Sequence, residues 1–213
     1  DATTTSFVLG PRALVRHPAG NTALGDILLP LGAVVTGHVQ RTNGTPVGGA
    51  DLDFIHAASG GEAFVPNDNT NAQGNFSVVV GKGTYNIELC PKPSDLLVAR
   101  ETIGVPIFAN LNTGTSTLVS GVTLFGSVVD AQGNPLSGVD VDVIRSSTGV
   151  PITLCHDNTN ASGDYSVIVP TGTYDVQFEM PGKRPVDVHQ KVSVPGPTQL
   201  DGQIVAHGTT RRR

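Results

Sequence analysis

The sequence contains no tryptophan, one methionine and two cysteines, and aromatic residues make up only 5% of its 213 residues. Glutamate and lysine, which usually fill the exposed faces of helices, occur four times each. No apolar run approaches the roughly 18 to 20 residues that a membrane-spanning helix needs. These shortages argue against a helical protein and predict no membrane span, and they remove the aromatic platform on which many proteins bind sugars.

The charge is mildly acidic, at −5, and the basic residues are scattered apart from Arg211, Arg212 and Arg213. A nucleic-acid-binding protein would show a clustered basic surface, so we expect no nucleic-acid partner. The chain is instead rich in glycine and proline, with 26 and 15 residues. Together with abundant valine and threonine, this composition favours β-strands joined by turns.

The start of the chain bears on its location. It begins at Asp1 and its single methionine is Met180, so residue 1 is not a translational start. A removed signal peptide would explain this, and excision from a longer chain would explain it as well. We expect a secreted protein that is extracellular or lies at the cell surface.

An internal duplication organises the chain, because residues 37–89 align without gaps on residues 126–178. Roughly 40% of the aligned positions are identical, which exceeds what shared composition produces. Apolar and polar residues alternate within each copy, as in strands with one buried face. The predicted inward-facing rows are Leu52 and Phe54; Phe76, Val78 and Val80; Tyr85, Ile87 and Leu89; Val139, Val141 and Val143; Tyr165, Val167 and Val169; and Tyr174, Val176 and Phe178.

A leucine followed by an apolar residue four positions later and a glycine four further on opens both copies. The sets are Leu29, Ala33 and Gly37, then Leu118, Val122 and Gly126. A third set, Leu200, Ile204 and Gly208, has no module after it. It is either the last strand of the second module, or an opening strand whose module is lost or supplied by another chain.

Four segments follow from the duplication. We predict an extended N-terminal arm at residues 1–28, β-sandwich modules at residues 29–120 and 121–208, and a basic C-terminal tail at residues 209–213. The arm contains two prolines and lies outside the repeat. The predicted fold class is all-β, with two tandem antiparallel sandwiches.

Three runs in each copy carry a family resemblance: residues 37–50, 70–78 and 83–87, with their counterparts at 126–139, 159–167 and 172–176. They resemble the carboxypeptidase regulatory-like modules, which have a transthyretin-like (prealbumin-like) β-sandwich. The resemblance implies about seven strands per module. It also implies a non-catalytic accessory role, as in secreted peptidases, surface adhesins and outer-membrane receptors.

Repeated acids are the main candidates for a metal site. Asp51 with Asp53, and Asp140 with Asp142, place two carboxylates about 7 Å apart on one face of a strand. Such a pair could hold calcium, particularly if the loops that contain Asp68 and Asp157 approach it. The alternative is a solvated strand whose charges discourage aggregation, and no other cofactor is expected.

Two further metal patterns are disfavoured. Asn158, Asn160, Ser162 and Gly163 resemble a calcium loop, but Val169 stands where a bidentate acid is needed, so turn chemistry is the simpler explanation. Cys155, His156 and Asp157 are adjacent in the sequence, and an extended segment would point them to alternate faces. A zinc site at these three residues is therefore not expected.

Cys90 and Cys155 permit one disulfide, but their spacing does not show that they meet. A disulfide between the modules and two free, buried thiols both remain open.

Catalytic signatures such as G-x-S-x-G and H-E-x-x-H are absent from the sequence, so we do not expect an enzyme. The expected function is structural: a spacer, a stalk, or a subunit of a surface fibre that self-associates by strand exchange at its ends. The expected partner is another copy or another surface protein. One alternative is an adhesin that binds a glycan or protein through its loops, and another is an accessory domain of a larger secreted enzyme.

Overall fold

The protein is described by a computed structural model that covers residues 31–180 and 187–205. The predicted arm at 1–28 and tail at 209–213 lie outside these residues. One 3-10 helix occurs at Pro93–Asp95. The strands are β1 (Gly32–Arg41), β2 (Asp51–His56), β3 (Asn75–Gly81), β4 (Gly83–Cys90), β5 (Arg100–Ile107), β6 (Leu111–Leu118), β7 (Val122–Asp130), β8 (Asp140–Arg145), β9 (Asp164–Val169), β10 (Gly172–Glu179), β11 (Asp187–Val194), β12 (Thr198–Gln199) and β13 (Gly202–Ile204).

The all-β class is confirmed, and no helix within the described ranges is long and apolar enough to cross a membrane. The residues group into two compact units. The first contains the described chain up to Leu89 together with Glu101–Thr117, and the second contains Cys90–Arg100 and the chain from Leu118. The predicted module boundaries, which follow the repeat, stay a prediction.

The first unit has two sheets, with strand orders β3-β1-β6 and β2-β4-β5. Strands β1 and β3 are antiparallel, and their register pairs Gly37 with Phe76. A side chain at position 37 would overlap the Phe76 ring and Thr113. Glycine is therefore required where the ring lies across β1.

The second unit repeats this plan. One sheet has the order β8-β10-β11, and in the other β7 pairs with β9, β12 and β13. Both β12 and β13 run parallel to β7, which differs from the antiparallel arrangement predicted for the modules. The chain enters β12 after the Pro195–Pro197 stretch that follows β11, a strand of the other sheet. A crossover of this kind, unlike a tight hairpin, permits parallel pairing.

The core lies between the sheets of each unit, and all the predicted inward-facing rows are buried. Because side chains alternate across a strand, a period-2 pattern is enough to assign the buried face. Two buried tyrosines also need polar partners. The hydroxyl groups of Tyr85 and Tyr174 donate to the carbonyl oxygens of Gly81 and Pro170, at 2.9 and 2.7 Å.

Strand β13 decides between the two interpretations of the third opening pattern, Leu200, Ile204 and Gly208. Ile204 is buried and belongs to the core of the second unit, and Gly202–Ile204 pair with Val128–Asp130 of β7. The segment is thus the last strand of the second sandwich. Gly208 of the same pattern lies outside the described residues.

Candidate functional site

The two acidic pairs lie where the sequence places them. Asp51 and Asp53 are in β2, and Asp140 and Asp142 are in β8, at positions that alternate with the buried residues. Their carboxylates therefore face away from the core. The loop that follows each strand decides whether a third acid joins the pair.

A buried threonine holds that loop in the first unit. The hydroxyl group of Thr70 accepts from the Ala50 backbone N–H at 2.9 Å and donates to the Val47 carbonyl at 2.7 Å. Its own N–H donates to the Ala50 carbonyl at 2.8 Å. These bonds fix the loop beside the start of β2, and the preceding Asp68 comes close to Asp51.

The three acids of the first unit interact. Burial, together with the negative charges of Asp51 and Asp53, raises the pKa of Asp68 to about 6. The side-chain amide of Asn69 also donates a hydrogen bond to the Asp51 carboxylate, at 3.0 Å. The loop that contains Asp68 therefore approaches the pair formed by Asp51 and Asp53, the arrangement that favours calcium binding.

The second unit builds the same arrangement. Thr159 accepts from the Val139 N–H at 2.9 Å and donates to the Leu136 carbonyl at 2.6 Å. The loop brings Asp157 to β8, and burial, followed by the charges of Asp140 and Asp142, raises the pKa of Asp157.

Glu179 adds a fourth acid to the second cluster, and sequence analysis did not identify it. It lies directly opposite Asp140 across β8 and β10, where like charges destabilise a sheet. Burial, then Asp140 and Glu179, raise the pKa of Asp142. The signal in the sequence was the alternation of β10, which puts Glu179 on the outer face once the strand register is known.

These clusters define what the outer faces can do chemically. In each unit several carboxylates surround a carboxyl group whose pKa is raised, Asp68 in the first unit and Asp142 and Asp157 in the second. Such an oxygen-rich surface favours a cation. In the first unit Asp51, Asp53 and Asp68 could hold calcium, and in the second Asp140, Asp142 and Asp157 could do so. Calcium binding stays a prediction.

The loop at Asn158–Gly163, which resembles a calcium site, uses the side-chain oxygen of Asn160 to form a turn. The side-chain oxygen of Asn160 accepts from the backbone N–H groups of Ser162 and Asp164, at 2.8 and 3.0 Å. Asn71 makes the equivalent bonds to Gln73 and Asn75, both at 3.0 Å. Side chains that satisfy nearby backbone donors in this way are typical of Asx turns.

Cys90 and Cys155 form a disulfide, with their Cα atoms 5.8 Å apart. Both cysteines belong to the second unit. A disulfide sulfur is not a thiolate ligand, so Cys155, His156 and Asp157 do not form a zinc site with that sulfur. Sequence spacing could not show the pairing because 65 positions separate the two residues.

Replacing Asp68 tests the electrostatics of the first cluster. Because the pKa of Asp68 is raised in the folded state, the folded state resists ionisation of this group. The free energy of unfolding therefore falls as the pH rises from about 4 to about 6. We expect Asp68→Asn to raise the melting temperature of the first unit at pH 7 and to have a much smaller effect at pH 4. Asp164→Asn, at an exposed strand position, is the control. An equal shift at both pH values would contradict the assignment.

Calcium provides a separate test of the same carboxylates. Millimolar calcium is expected to raise the melting temperature of the wild-type protein at pH 7, because the cation offsets the like charges. Asp68→Asn and Asp157→Asn should each reduce this increase, whereas Asp164→Asn should retain it. Differential scanning calorimetry with calcium and with a chelator measures the effect, and identical melting curves would exclude binding.

Reduction of the disulfide is expected to destabilise the second unit. Closing a loop of this length reduces the unfolded-state entropy by an amount worth about 4 kcal/mol in the chain-entropy model. We expect a reducing agent to lower the urea midpoint of the wild type. A Cys90→Ala/Cys155→Ala variant should start at the lower midpoint and should not respond to the reductant. A wild-type midpoint that does not change on reduction would refute the expectation.

Comparison with solved structures finds likeness at low identity. The Bacillus anthracis TIE protein is 12% identical, with 82% of this chain and 33% of that chain covered and a TM-score of 0.32. A streptococcal ancillary pilin is 13% identical, with coverages of 85% and 66% and a TM-score of 0.33. The shaft pilin SpaA of Lactobacillus rhamnosus GG is 13% identical, with coverages of 83% and 97% and a TM-score of 0.36.

The chain thus spans one third of the TIE protein and just under two thirds of the ancillary pilin. TM-scores at this level carry no argument about function. No match was found among curated proteins. The model of the carboxypeptidase regulatory-like domain family does match, over residues 123–205. Residues 123–205, which lie in the second unit, are therefore similar to the carboxypeptidase regulatory-like domain family.

Proposed function

We propose that this protein is a non-enzymatic extracellular structural protein that serves as a spacer or as a self-assembling subunit of a surface fibre. The observation that carries the proposal is the repetition of one sandwich plan, including its polar details, in a single chain. Two similar β-rich units that follow one another along the chain are what a repeated structural module provides.

The use of the repeated polar residues supports a structural role. Thr70 and Thr159 hold equivalent loops, and Asn71 and Asn160 form equivalent turns. Each of these side chains satisfies backbone groups of its own unit. Retention of these positions in both copies is thus explained by folding.

The disulfide supports an extracellular location. Disulfides persist in oxidising compartments and are rare in the reducing cytosol. The Cys90–Cys155 bond belongs to the second unit, whose core contains no second covalent link among the described residues. Secretion to the cell surface fits this chemistry.

Strand β6 is the edge at which a second copy would add. It is the end strand of the order β3-β1-β6, and its sequence, LNTGTSTL, has neither a charge nor a proline. An exposed edge without such protection is a template for a strand from another chain. Four consecutive residues of β6, from Asn112 to Thr115, are exposed.

Two other end strands, β5 and β11, carry protective residues, whereas β3, with the sequence NFSVVVG, does not. Strand β5 contains Arg100, Glu101 and Pro106, and β11 contains Asp187 and Lys191. Charges and proline on an edge oppose strand addition. The comparison favours β6 over β5 and β11 as the surface for self-association.

A charge on β6 tests the proposal. We expect the wild-type protein to form filaments or higher oligomers as its concentration rises, seen by negative-stain electron microscopy and light scattering. Thr115→Lys should leave mostly monomers, because a desolvated charge opposes strand pairing. Thr102→Lys, on the already protected β5, is the matched control and should assemble normally.

Circular dichroism should show both lysine variants folded. A wild-type protein that stays monomeric at every concentration would contradict self-assembly. Oligomers that survive Thr115→Lys would show that β6 is not the edge used.

A further inference from the structure

A short added strand completes the second unit. Leu97 pairs with Ser120 in an antiparallel bridge. The Val98 N–H donates to the Val119 carbonyl at 3.0 Å, and the Gly121 N–H donates to the Leu96 carbonyl at 2.8 Å. Residues 96–98 therefore pair, around a one-residue bridge at Leu97, with the segment immediately before β7, and we call them the added strand. Leu97 is only 1% exposed.

This added strand covers an apolar residue on the outer face of β9. Ile168 alternates with the buried residues of β9, so its side chain points away from the core. A side chain at Gly121 would overlap both Ile168 and Val98, which shows that the two lie side by side above the glycine. Leu97 and Ile168 also line the same small cavity of about 20 Å³. The cover explains how an outward apolar residue is tolerated.

The first unit shows the features of an equivalent cover. The repeat places residue 37 on residue 126, and the same shift places Val79 on Ile168 and Leu31 on Ser120. Val79 alternates with the buried row of β3 and should face water, yet it is only 5% exposed. Leu31 lies in a single-residue β-bridge, as Ser120 does.

The repeat also identifies the segment that corresponds to the added strand. The same shift places residues 96–98 on residues 7–9. These are Phe7, Val8 and Leu9, an apolar triplet like Leu96, Leu97 and Val98. The triplet belongs to the region that the sequence assigns to an extended arm.

We propose that residues 7–9 dock on the first unit as an added strand, with Val8 opposite Leu31 and the triplet covering Val79. The occupant is of the same chemistry as residues 96–98: three apolar residues held by backbone hydrogen bonds, here to the segment before β1. Leu31 is itself 64% exposed, so its bridge uses the backbone and leaves its side chain outside. The arm is then a structural part of the first sandwich.

The proposal gives both sandwiches the same arrangement. Each is completed by an apolar triplet that precedes its first strand, and in the second unit this triplet comes from the connection between β4 and β5. A sandwich cut at the boundary of the repeat would therefore lack its covering strand. The inference does not depend on self-assembly and holds for a single chain.

Hydrogen exchange on the full chain tests the docking. We expect Val8→Ala to speed amide exchange in β3 and at Leu31 by ten-fold or more, with the second unit unchanged. Thr5→Ala, two positions outside the triplet, is the matched control and should match the wild type. Leu97→Ala should speed exchange around Ser120 and in β9 of the second unit to a similar extent.

Peptide rescue gives a second readout if the variant unfolds the first unit. A synthetic peptide of residues 1–15 added to the Val8→Ala protein should restore slow exchange in β3, and the same peptide with Val8→Asp should not. Restoration would also show that the strand can be supplied by a separate molecule. Wild-type exchange rates in Val8→Ala, or no difference between the two peptides, would overturn the proposal. Monomers in the β6 experiment would leave this result unaffected.

Discussion

Every feature of this protein depends on the burial of alternate residues between two facing sheets. Because successive side chains of a strand point to opposite faces, one register places the valine, leucine and aromatic rows in the core and the polar residues outside. A slip of one residue would exchange the two sets. Both units bury side chains at equivalent positions. Differences between the units are therefore expected mainly on their outer faces.

The outer faces carry the acids, and a buried hydroxyl group decides how close they come. Thr70 and Thr159 satisfy backbone groups at the start of a strand, and each thereby brings Asp68 or Asp157 beside a pair of aspartates. Burial, and then the repulsion between the carboxylates, raises the pKa values of Asp68 and Asp157. The loop that the fold needs therefore also creates an acidic surface, and this links packing to the calcium binding predicted for these aspartates.

Strand edges and their covers provide the second link between fold and function. A β-sandwich has open edges, and each must be paired, covered or charged. Here β5 and β11 carry charges, Ile168 is covered by an added strand, and β6 has neither device. The structural role proposed for the protein depends on this difference between strand edges. Self-assembly requires an unprotected edge such as β6, whereas the charged edges of β5 and β11 oppose pairing at those strands.

The sequence by itself determined the duplication, the strands that form its buried rows and the turns between them, because these depend on period-2 patterns and on local glycine and asparagine chemistry. It did not identify β5, β6, β11 or β12. It named the six aspartates but not Glu179, and it could not predict that Asp68 meets Asp51. The disulfide, the parallel pairing of β13 and the fate of the third opening pattern were likewise decided only by the tertiary structure. The physical reason is the same in each case: contacts between residues far apart in the chain depend on strand register and crossover, which local pattern does not encode.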